Sequence, residues 1–334
     1  MKTLRNVVIT GTGMHVPEHV VTNKDLEQMM DTSDEWITQR SGIKERRWVK
    51  DGETPADLGV EACKIALNRA GRKTSDMDLL MVATLSPQHY FPGTAAFLQA
   101  QLGMETTPSM GVRCQCTGFL YALTTAKALV ASGQYNKVLV CGIEVHSRAL
   151  DKTTRGRDVT VLFGDGAGAV VVEEADEPER GILASTLHSD GRFGDKLWME
   201  YPTLASDPHL NAQMIEDGTV YPKMEGRLVF KNAVSRLPEV VMETIKPLGL
   251  KIDDIDHFLF HQANLRINEH VAQLLKIPAR KVHNNIEKYG NCSAASIPIL
   301  LHETVAAGKI KKGDLVCMAA FGSGFTWGAT LVRW

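Results

Sequence analysis

Ala70-Gly-Arg-Lys-Thr-Ser-Asp-Met-Asp-Leu-Leu-Met-Val-Ala-Thr84 is matched in pattern by Leu248-Gly-Leu-Lys-Ile-Asp-Asp-Ile-Asp-His-Phe-Leu-Phe-His-Gln262, at a constant offset of 178 residues (249 − 71). In each stretch a glycine, Gly71 or Gly249, closes a helix, the usual place for a residue in the left-handed conformation. An Asp-x-Asp triplet begins five residues later (Asp76 to Asp78, Asp254 to Asp256), and an apolar run of strand length follows. A second correspondence comes after the first in both halves. Cys116-Thr-Gly-Phe-Leu-Tyr-Ala-Leu123 leads through a helix to Gly133, and Asn291-Cys-Ser-Ala-Ala-Ser-Ile-Pro298 leads through a helix to Gly308, each over 17 residues. This spacing predicts that Cys116 and Asn291 hold equivalent positions at the N-termini of equivalent helices. His261 falls opposite Ala83, at a strand end. Two segments repeated in order predict a duplicated α/β fold with a pseudo-twofold axis.

Working outward, apolar runs at Asn6–Ile9, Leu79–Thr84, Lys137–Cys141, Ala167–Val172, Phe258–His261, Leu315–Ala319 and Ala329–Val332 read as strands. Helical periodicity covers Pro55–Ala70, Gly118–Ala131, Val234–Ile245 and Ala294–Ala307. The expected division is 1–175, carrying Cys116, and 176–334, carrying His261 and Asn291. The stretch 181–224, rich in Asp, Gly, His and Pro, has no evident counterpart in the first half, and a cap over a substrate pocket is expected there. Gly11-Thr-Gly13 lacks the third glycine of a dinucleotide fingerprint, and Gly164-Asp-Gly166-Ala-Gly168 reads as a tight turn between strands.

The 334 residues are 44% hydrophobic and 23% charged, with a formal net charge of −2. That balance allows a large core, and without a long run of one sign it gives no indication of a nucleic-acid footprint. No run reaches the roughly 18 apolar residues of a membrane span. The opening segment has too short an apolar run for a secretory leader. Six cysteines without framework spacing read as reduced thiols, and the histidines and cysteines show no metal-ligand pattern. The expectation is a cytoplasmic protein with no metal, cofactor, nucleic-acid partner or membrane partner.

A helix N-terminus presents unpaired N–H groups and positive potential. Cys116 there would have a lowered thiol pKa, and the same N–H groups could hold the oxyanion of a thioester under attack. A lone cysteine is usually only a small buried apolar residue; the repeat singles this one out. Together Cys116, His261 and Asn291 supply one nucleophile and two neutral donors able to stabilise a thioester enolate.

These residues stand in segments that resemble the β-ketoacyl-acyl-carrier-protein synthase III family of the thiolase superfamily. The matching segments run the length of the chain: Asp34–Arg46, Cys116–Leu123, Phe163–Ala169, Met224–Arg227 with Val229–Lys231, His261–Ile267, Tyr289–Pro298 and Phe321–Gly328. The resemblance implies a thiolase-like fold, two pseudo-symmetric α/β halves in an α-β-α-β-α sandwich. It implies a decarboxylative condensation that initiates fatty acid synthesis: an acyl-CoA primer acylates Cys116, then malonyl-acyl-carrier protein is decarboxylated with His261 and Asn291 on its thioester oxygen. The backbone N–H groups of Cys116 and Ser323 would form the oxyanion hole. Trp36, Arg40, Arg157 and Asn264 match residues that bind CoA, with Arg155 a competitor for the role of Arg157. Gln262, Ala263, Asn264, Leu265 and Arg266 match the carrier-protein docking segment. Phe91 matches a residue that enters the partner subunit's acyl pocket, implying a homodimer.

The chain departs from the family pattern at Arg113-Cys114-Gln115, where small residues are usual, and at Cys292, where Thr is usual. Both changes bear on the acyl pocket. Alternatives within the superfamily are a paralogous condensing enzyme or acyltransferase of secondary metabolism and a long-chain acyl–acyl condensation. A cysteine thioesterase and a non-catalytic carrier-binding module are further readings.

Overall fold

The computed structural model describes residues 4–334 apart from 176 and 178. Residues 1–3, which open the segment weighed as a leader, and residue 176, where the sequence divides the halves, lie outside the described residues. Two five-stranded sheets dominate. The first holds β1 (Val7–His15), β2 (Leu79–Ala83), β3 (Ser109–Val112), β4 (Lys137–Glu144) and β5 (Gly166–Glu174), in the order β1-β5-β4-β2-β3. The second holds β6 (Gly181–Ser189), β7 (His257–Phe260), β8 (Val282–His283), β9 (Leu315–Gly322) and β10 (Thr326–Arg333), in the order β6-β10-β9-β7-β8. Strand for strand the orders are the same, and so are the directions. The three strands β3, β2 and β4 run parallel, as do β8, β7 and β9, and the two remaining strands of each sheet are antiparallel.

The repeated Asp-x-Asp accounts for the matched register. Asp76 and Asp254 accept the N–H of Lys73 and Lys251, both at 2.7 Å, and so cap one short turn in each half. Asp78 accepts the N–H of Lys137 at 3.0 Å, and Asp256 that of Leu315 at 2.9 Å, tying β2 to β4 and β7 to β9 at their first residues. Leu79 therefore pairs with Val138, and His257 with Val316, each shifted by 178.

The principal helices are α1 (Asp34–Ser41), α2 (Pro55–Ala70), α3 (Gly118–Ala131), α4 (Gly226–Ile245), α5 (Leu265–Leu274) and α6 (Ser296–Ala306). Helices α2 to α6 pack with the sheets, and α1 packs in a separate cluster. Alternate residues of a strand face opposite ways. Met81 and Ala83 pack with α3 and α6 between the sheets, together with Leu259 and Met318 of the second sheet. Leu80 and Val82 face α2 outside the first sheet, and Phe258 and Phe260 face α4 outside the second. Five layers result, α-β-α-β-α. Covering both faces explains why these strands read as unbroken apolar runs. Each fully buried Leu or Phe contributes about 1.5–3 kcal/mol over an exposed one.

Three strands had no apolar signature: β3, β6 and β8. They are three of the four outer strands of the two sheets, and Ser109, Met110 and Gly111 of β3 are exposed. The expected cap needs correction for that reason, because Gly181–Ser189 is the sheet strand β6, the counterpart of β1. What remains, residues 190–225, also has a topological counterpart in residues 16–54, the excursion between β1 and α2. The glycines expected in a tight turn are likewise placed otherwise. Gly166 and Gly168 lie within β5, and a Cβ on Gly168 would stand 2.7 Å from the Ile299 nitrogen of α6.

Candidate active site

Each of α3 and α6 is entered through a three-residue turn, Gln115–Thr117 and Ser293–Ala295. Both turns start on a non-glycine residue in the left-handed region, Gln115 at φ 43° and Ser293 at φ 39°, and both follow a cysteine, Cys114 or Cys292. The backbone thus matches Cys116 to Ala294, at the same offset of 178 as the strands. The expected equivalence of Cys116 and Asn291 is incorrect. Helix α6 has 11 residues and α3 has 14, so equal counts back from Gly308 and Gly133 reach positions about one turn apart.

Asn291 instead lies just before its turn, in extended chain bridged to Phe163. Its N–H donates to the Leu162 carbonyl at 2.8 Å, and its carbonyl accepts from the Gly164 N–H at 3.1 Å. Its side-chain Oδ1 accepts the Ser293 N–H at 2.8 Å, which leaves the amide Nδ2 as the group to present to a ligand. His261 follows β7 directly, and its N–H donates to the Ala319 carbonyl at 2.8 Å. The imidazole is buried, and neither ring nitrogen has a protein hydrogen-bond partner. Burial pushes its pKa down to about 3, so the ring is neutral.

Burial also decides the state of Cys116. The thiol rises from 9.0 to about 12, against the opposing pull of the Ser293 hydroxyl and of the backbone N–H groups of Cys116 and Ser323. Three units correspond to about 4 kcal/mol, whereas a helix N-terminus supplies up to about 2 kcal/mol. The expected low thiol pKa is therefore corrected: Cys116 rests as a neutral thiol, its Sγ 3.7 Å from Ser293 Oγ. The backbone N–H groups of Cys116 and Ser323 nonetheless favour the thiolate form. Gly322 lies against the Cys116 backbone, where a Cβ would stand 2.8 Å from Cys116 Cβ and 3.0 Å from its nitrogen.

One cavity of about 680 Å3 reaches these groups, lined by Cys116, His261 and Asn291 at one part and by Trp36, Arg40 and Asn264 at another. Both excursions contribute to it, Trp36 and Arg40 from residues 16–54 and Leu197 and Met224 from residues 190–225. Two guanidinium groups lie near the Trp36 ring, Arg40 at 4.8 Å and Arg157 at 5.1 Å from its centroid. Arg155 is committed elsewhere, to Asp151 at 2.6 Å and the Glu216 carbonyl at 2.7 Å.

The segment after His261 divides. Asn264 caps α5 and donates to the Arg40 carbonyl at 3.0 Å, and exposed Arg266 donates to the Gln39 carbonyl at 2.7 Å. Ala263 and Leu265 are half-buried. Gln262 is buried, with Nε2 on the Phe260 carbonyl at 2.8 Å and Oε1 accepting from Asn285 and Ile286 at 3.0 and 3.1 Å. Its expected place in a docking surface is corrected to an internal brace. Phe91 is 83% exposed and does not line the cavity. The Ser323 hydroxyl donates to the Leu197 carbonyl. Sequence reasoning overlooked Ser293, Gly322 and Glu144. Of these only Glu144 carried a signal, a carboxylate ending an apolar strand.

The profile of the family described as 3-oxoacyl-[acyl-carrier-protein (ACP)] synthase III matches residues 110–191, and that of its C-terminal part matches residues 245–334. The β-ketoacyl-[acyl-carrier-protein] synthase III of Sinorhizobium medicae is 45% identical over 332 residues, 98% of this chain and 99% of that one. The crystal structure of 3-oxoacyl-[acyl-carrier-protein] synthase III from Aquifex aeolicus superposes with a TM-score of 0.90 at 43% identity, covering 98% of this chain and 100% of that one. The Thermus thermophilus synthase III gives 0.89 at 40% identity, over 98% and 99% of the two chains. With its duplicated fold and a cavity reaching a cysteine, a histidine and an asparagine, the chain belongs to the β-ketoacyl-[acyl-carrier-protein] synthase III family of condensing enzymes.

Proposed function

We propose that this condensing enzyme runs its reaction through Cys116, His261 and Asn291, with acyl-CoA as primer and malonyl-acyl-carrier protein as carbon donor. The observation that carries this reading is the cavity that Cys116, His261 and Asn291 line together. In the first half-reaction the Cys116 sulfur attacks the thioester carbonyl, its proton passing to a basic ring nitrogen of neutral His261. The N–H groups of Cys116 and Ser323 stabilise the oxyanion, the carbon–sulfur bond to CoA breaks, and CoA leaves as the thiol with that proton. In the second, His261 and the Asn291 amide donate to the malonyl thioester oxygen while CO2 departs. The carbanion attacks the acyl carbonyl, the bond to Cys116 breaks, and the sulfur is reprotonated.

Trp36 is the platform for the CoA adenine, flanked by Arg40 and Arg157, with Asn264 along the pantetheine arm. Arg266, with the neighbouring Ala263 and Leu265, faces the carrier protein. The working form is a homodimer to which Phe91 contributes. Exposed Phe91 and the open edge of β3, where Met110 is 43% exposed, support that part of the reading. A nucleophilic thiol requires reducing surroundings, which supports the cytoplasm as its location.

Incubation with acyl-CoAs of increasing chain length, followed by intact-mass measurement and a malonyl-carrier chase, tests the reading. A single acyl adduct that is lost in Cys116→Ala and discharged by the chase is expected. An adduct that survives Cys116→Ala, or none at all, overturns it. Steady release of free acid without a malonyl donor would identify a thioesterase instead.

A further inference from the structure

Glu144, the last residue of β4, is fully buried. Its surroundings follow from the duplication. At the offset of 178, Ala294 is the counterpart of Cys116, and Glu144 and Val145 are the counterparts of Gly322 and Ser323. On the catalytic side Gly322 packs against the Cys116 backbone, and the N–H groups of Cys116 and Ser323 favour a negative charge on the sulfur. On the opposite side of the pseudo-axis one matching N–H reaches a carboxylate directly and the other reaches it through a hydroxyl. Ala294 donates to Glu144 Oε1 at 3.3 Å. Val145 donates to Ser86 Oγ at 2.9 Å, and that hydroxyl donates to Glu144 Oε2 at 2.5 Å. The N–H groups of Leu85 and Ser86 and the Thr84 hydroxyl add donors at 3.3, 3.2 and 3.3 Å.

We infer that Glu144 fills the pseudo-symmetric copy of the oxyanion pocket, and that by doing so it is the positioning residue for the condensation step. The inference rests on the reading of Asn291 given above. Ala294 belongs to the turn whose first residue, Ser293, holds Asn291 Oδ1 through its N–H and places its hydroxyl 3.7 Å from Cys116 Sγ. Ser293 stands at φ 39°, a conformation that costs a non-glycine residue roughly 1–2 kcal/mol and persists only where its surroundings hold it. The Glu144–Ala294 bond is one such restraint, and it crosses from one half of the fold to the other. An ionised carboxylate buried without partners would cost several kcal/mol. The converging donors offset that cost, and the carboxyl still stands at about 7 because burial outweighs them. The titratable groups facing it are His146, with Nε2 at 4.0 Å, and the Cys116 and Cys292 thiols. Glu144 does not line the cavity, so it acts through the turn and not on substrate.

The test separates the two half-reactions in the full chain, using Glu144→Gln, Asn291→Ala and the double variant. Glu144→Gln is expected to acylate Cys116 within about 3-fold of wild type, to condense about 30-fold more slowly, and to keep the KM for the malonyl carrier. In the double variant the loss is expected to equal that of Asn291→Ala alone, because both act through one group. Condensation at the wild-type rate, or losses that multiply in the double variant, overturns the inference. If Glu144→Gln does not fold, Ser86→Ala removes the bridge to Val145 and keeps the charge. A condensation-selective loss then supports the inference, and equal slowing of both half-reactions overturns it. Failure of the wild-type protein to form acyl-Cys116 is a different result, since it overturns the assignment of the reaction itself.

Discussion

The backbone N–H of Ser293 donates to Oδ1 of Asn291 at 2.8 Å, so a residue two positions further along the chain sets which end of that amide meets the substrate. The carbonyl end is taken by the protein, and the Nδ2 donor is turned to the cavity. Asn291 is thereby a donor by construction, suited to an oxygen that gains negative charge as CO2 leaves.

Asn291→Asp keeps the acceptor for Ser293 and replaces the donor by a second acceptor. We expect Cys116 acylation to persist while condensation falls by about 10²–10³, the usual effect of deleting one such donor. Rapid-quench measurement of the two half-reactions checks this. Equal loss in both would contradict the assigned role.

Gly322→Ala sets a methyl group 2.8 Å from Cys116 Cβ. The neighbour is backbone and Cβ, which cannot swing aside, so the turn carrying Cys116 must shift. A destabilisation of about 1–3 kcal/mol is expected from the overpacking, together with slowed acylation. Urea unfolding and the acylation rate by mass spectrometry read the two effects. A variant that acylates normally would show that the N–H groups of Cys116 and Ser323 are not required.

Arg155 and Arg157 separate by partner. Arg157→Ala removes one cation–π contact of Trp36 and should raise the KM for acyl-CoA about 2- to 5-fold, the worth of an exposed cation–π contact. Arg155→Ala breaks the bond to Asp151 and should leave that KM unchanged while lowering stability by about 1 kcal/mol. The reverse pattern would exchange their roles.

Stability should depend on pH through several buried groups, among them His146, His261 and Glu144. His146 and His261 fall from 6.5 to about 3, both through burial, so below pH 6.5 the unfolded chain takes up protons that the folded one does not. Each then loses about 2 kcal/mol of stability between pH 7 and 5. Glu144 works the other way, because its rise from 4.5 to about 7 makes the folded form bind the extra proton. It contributes about 2 kcal/mol over the same interval as pH falls. The wild type should therefore lose stability on acidification, and His146→Phe should lose about 2 kcal/mol less. Denaturant unfolding at pH 7 and 5 checks this, and an equal loss in both proteins would refute it.

The sequence by itself determined the duplication, the buried strands and the residues of the site, because each left a local trace. Left-handed glycines closed helices, Asp-x-Asp triplets tied neighbouring strands, and strands covered on both faces required continuous apolar runs. Edge strands left no such trace, since β3 and β8 need only backbone pairing on one side. The tertiary structure decided what depended on distance and solvent. It matched Cys116 to Ala294, because one helix is a turn shorter than its twin and counting along the chain cannot detect that. It turned Gln262 inward, away from any docking surface. It raised the Cys116 thiol, because desolvation outweighs the helix terminus that the sequence made visible. It also disclosed Glu144 on the far side of the pseudo-axis, where its donors come from two segments that are remote in sequence, residues 84–86 and Ala294, and brought together only by folding.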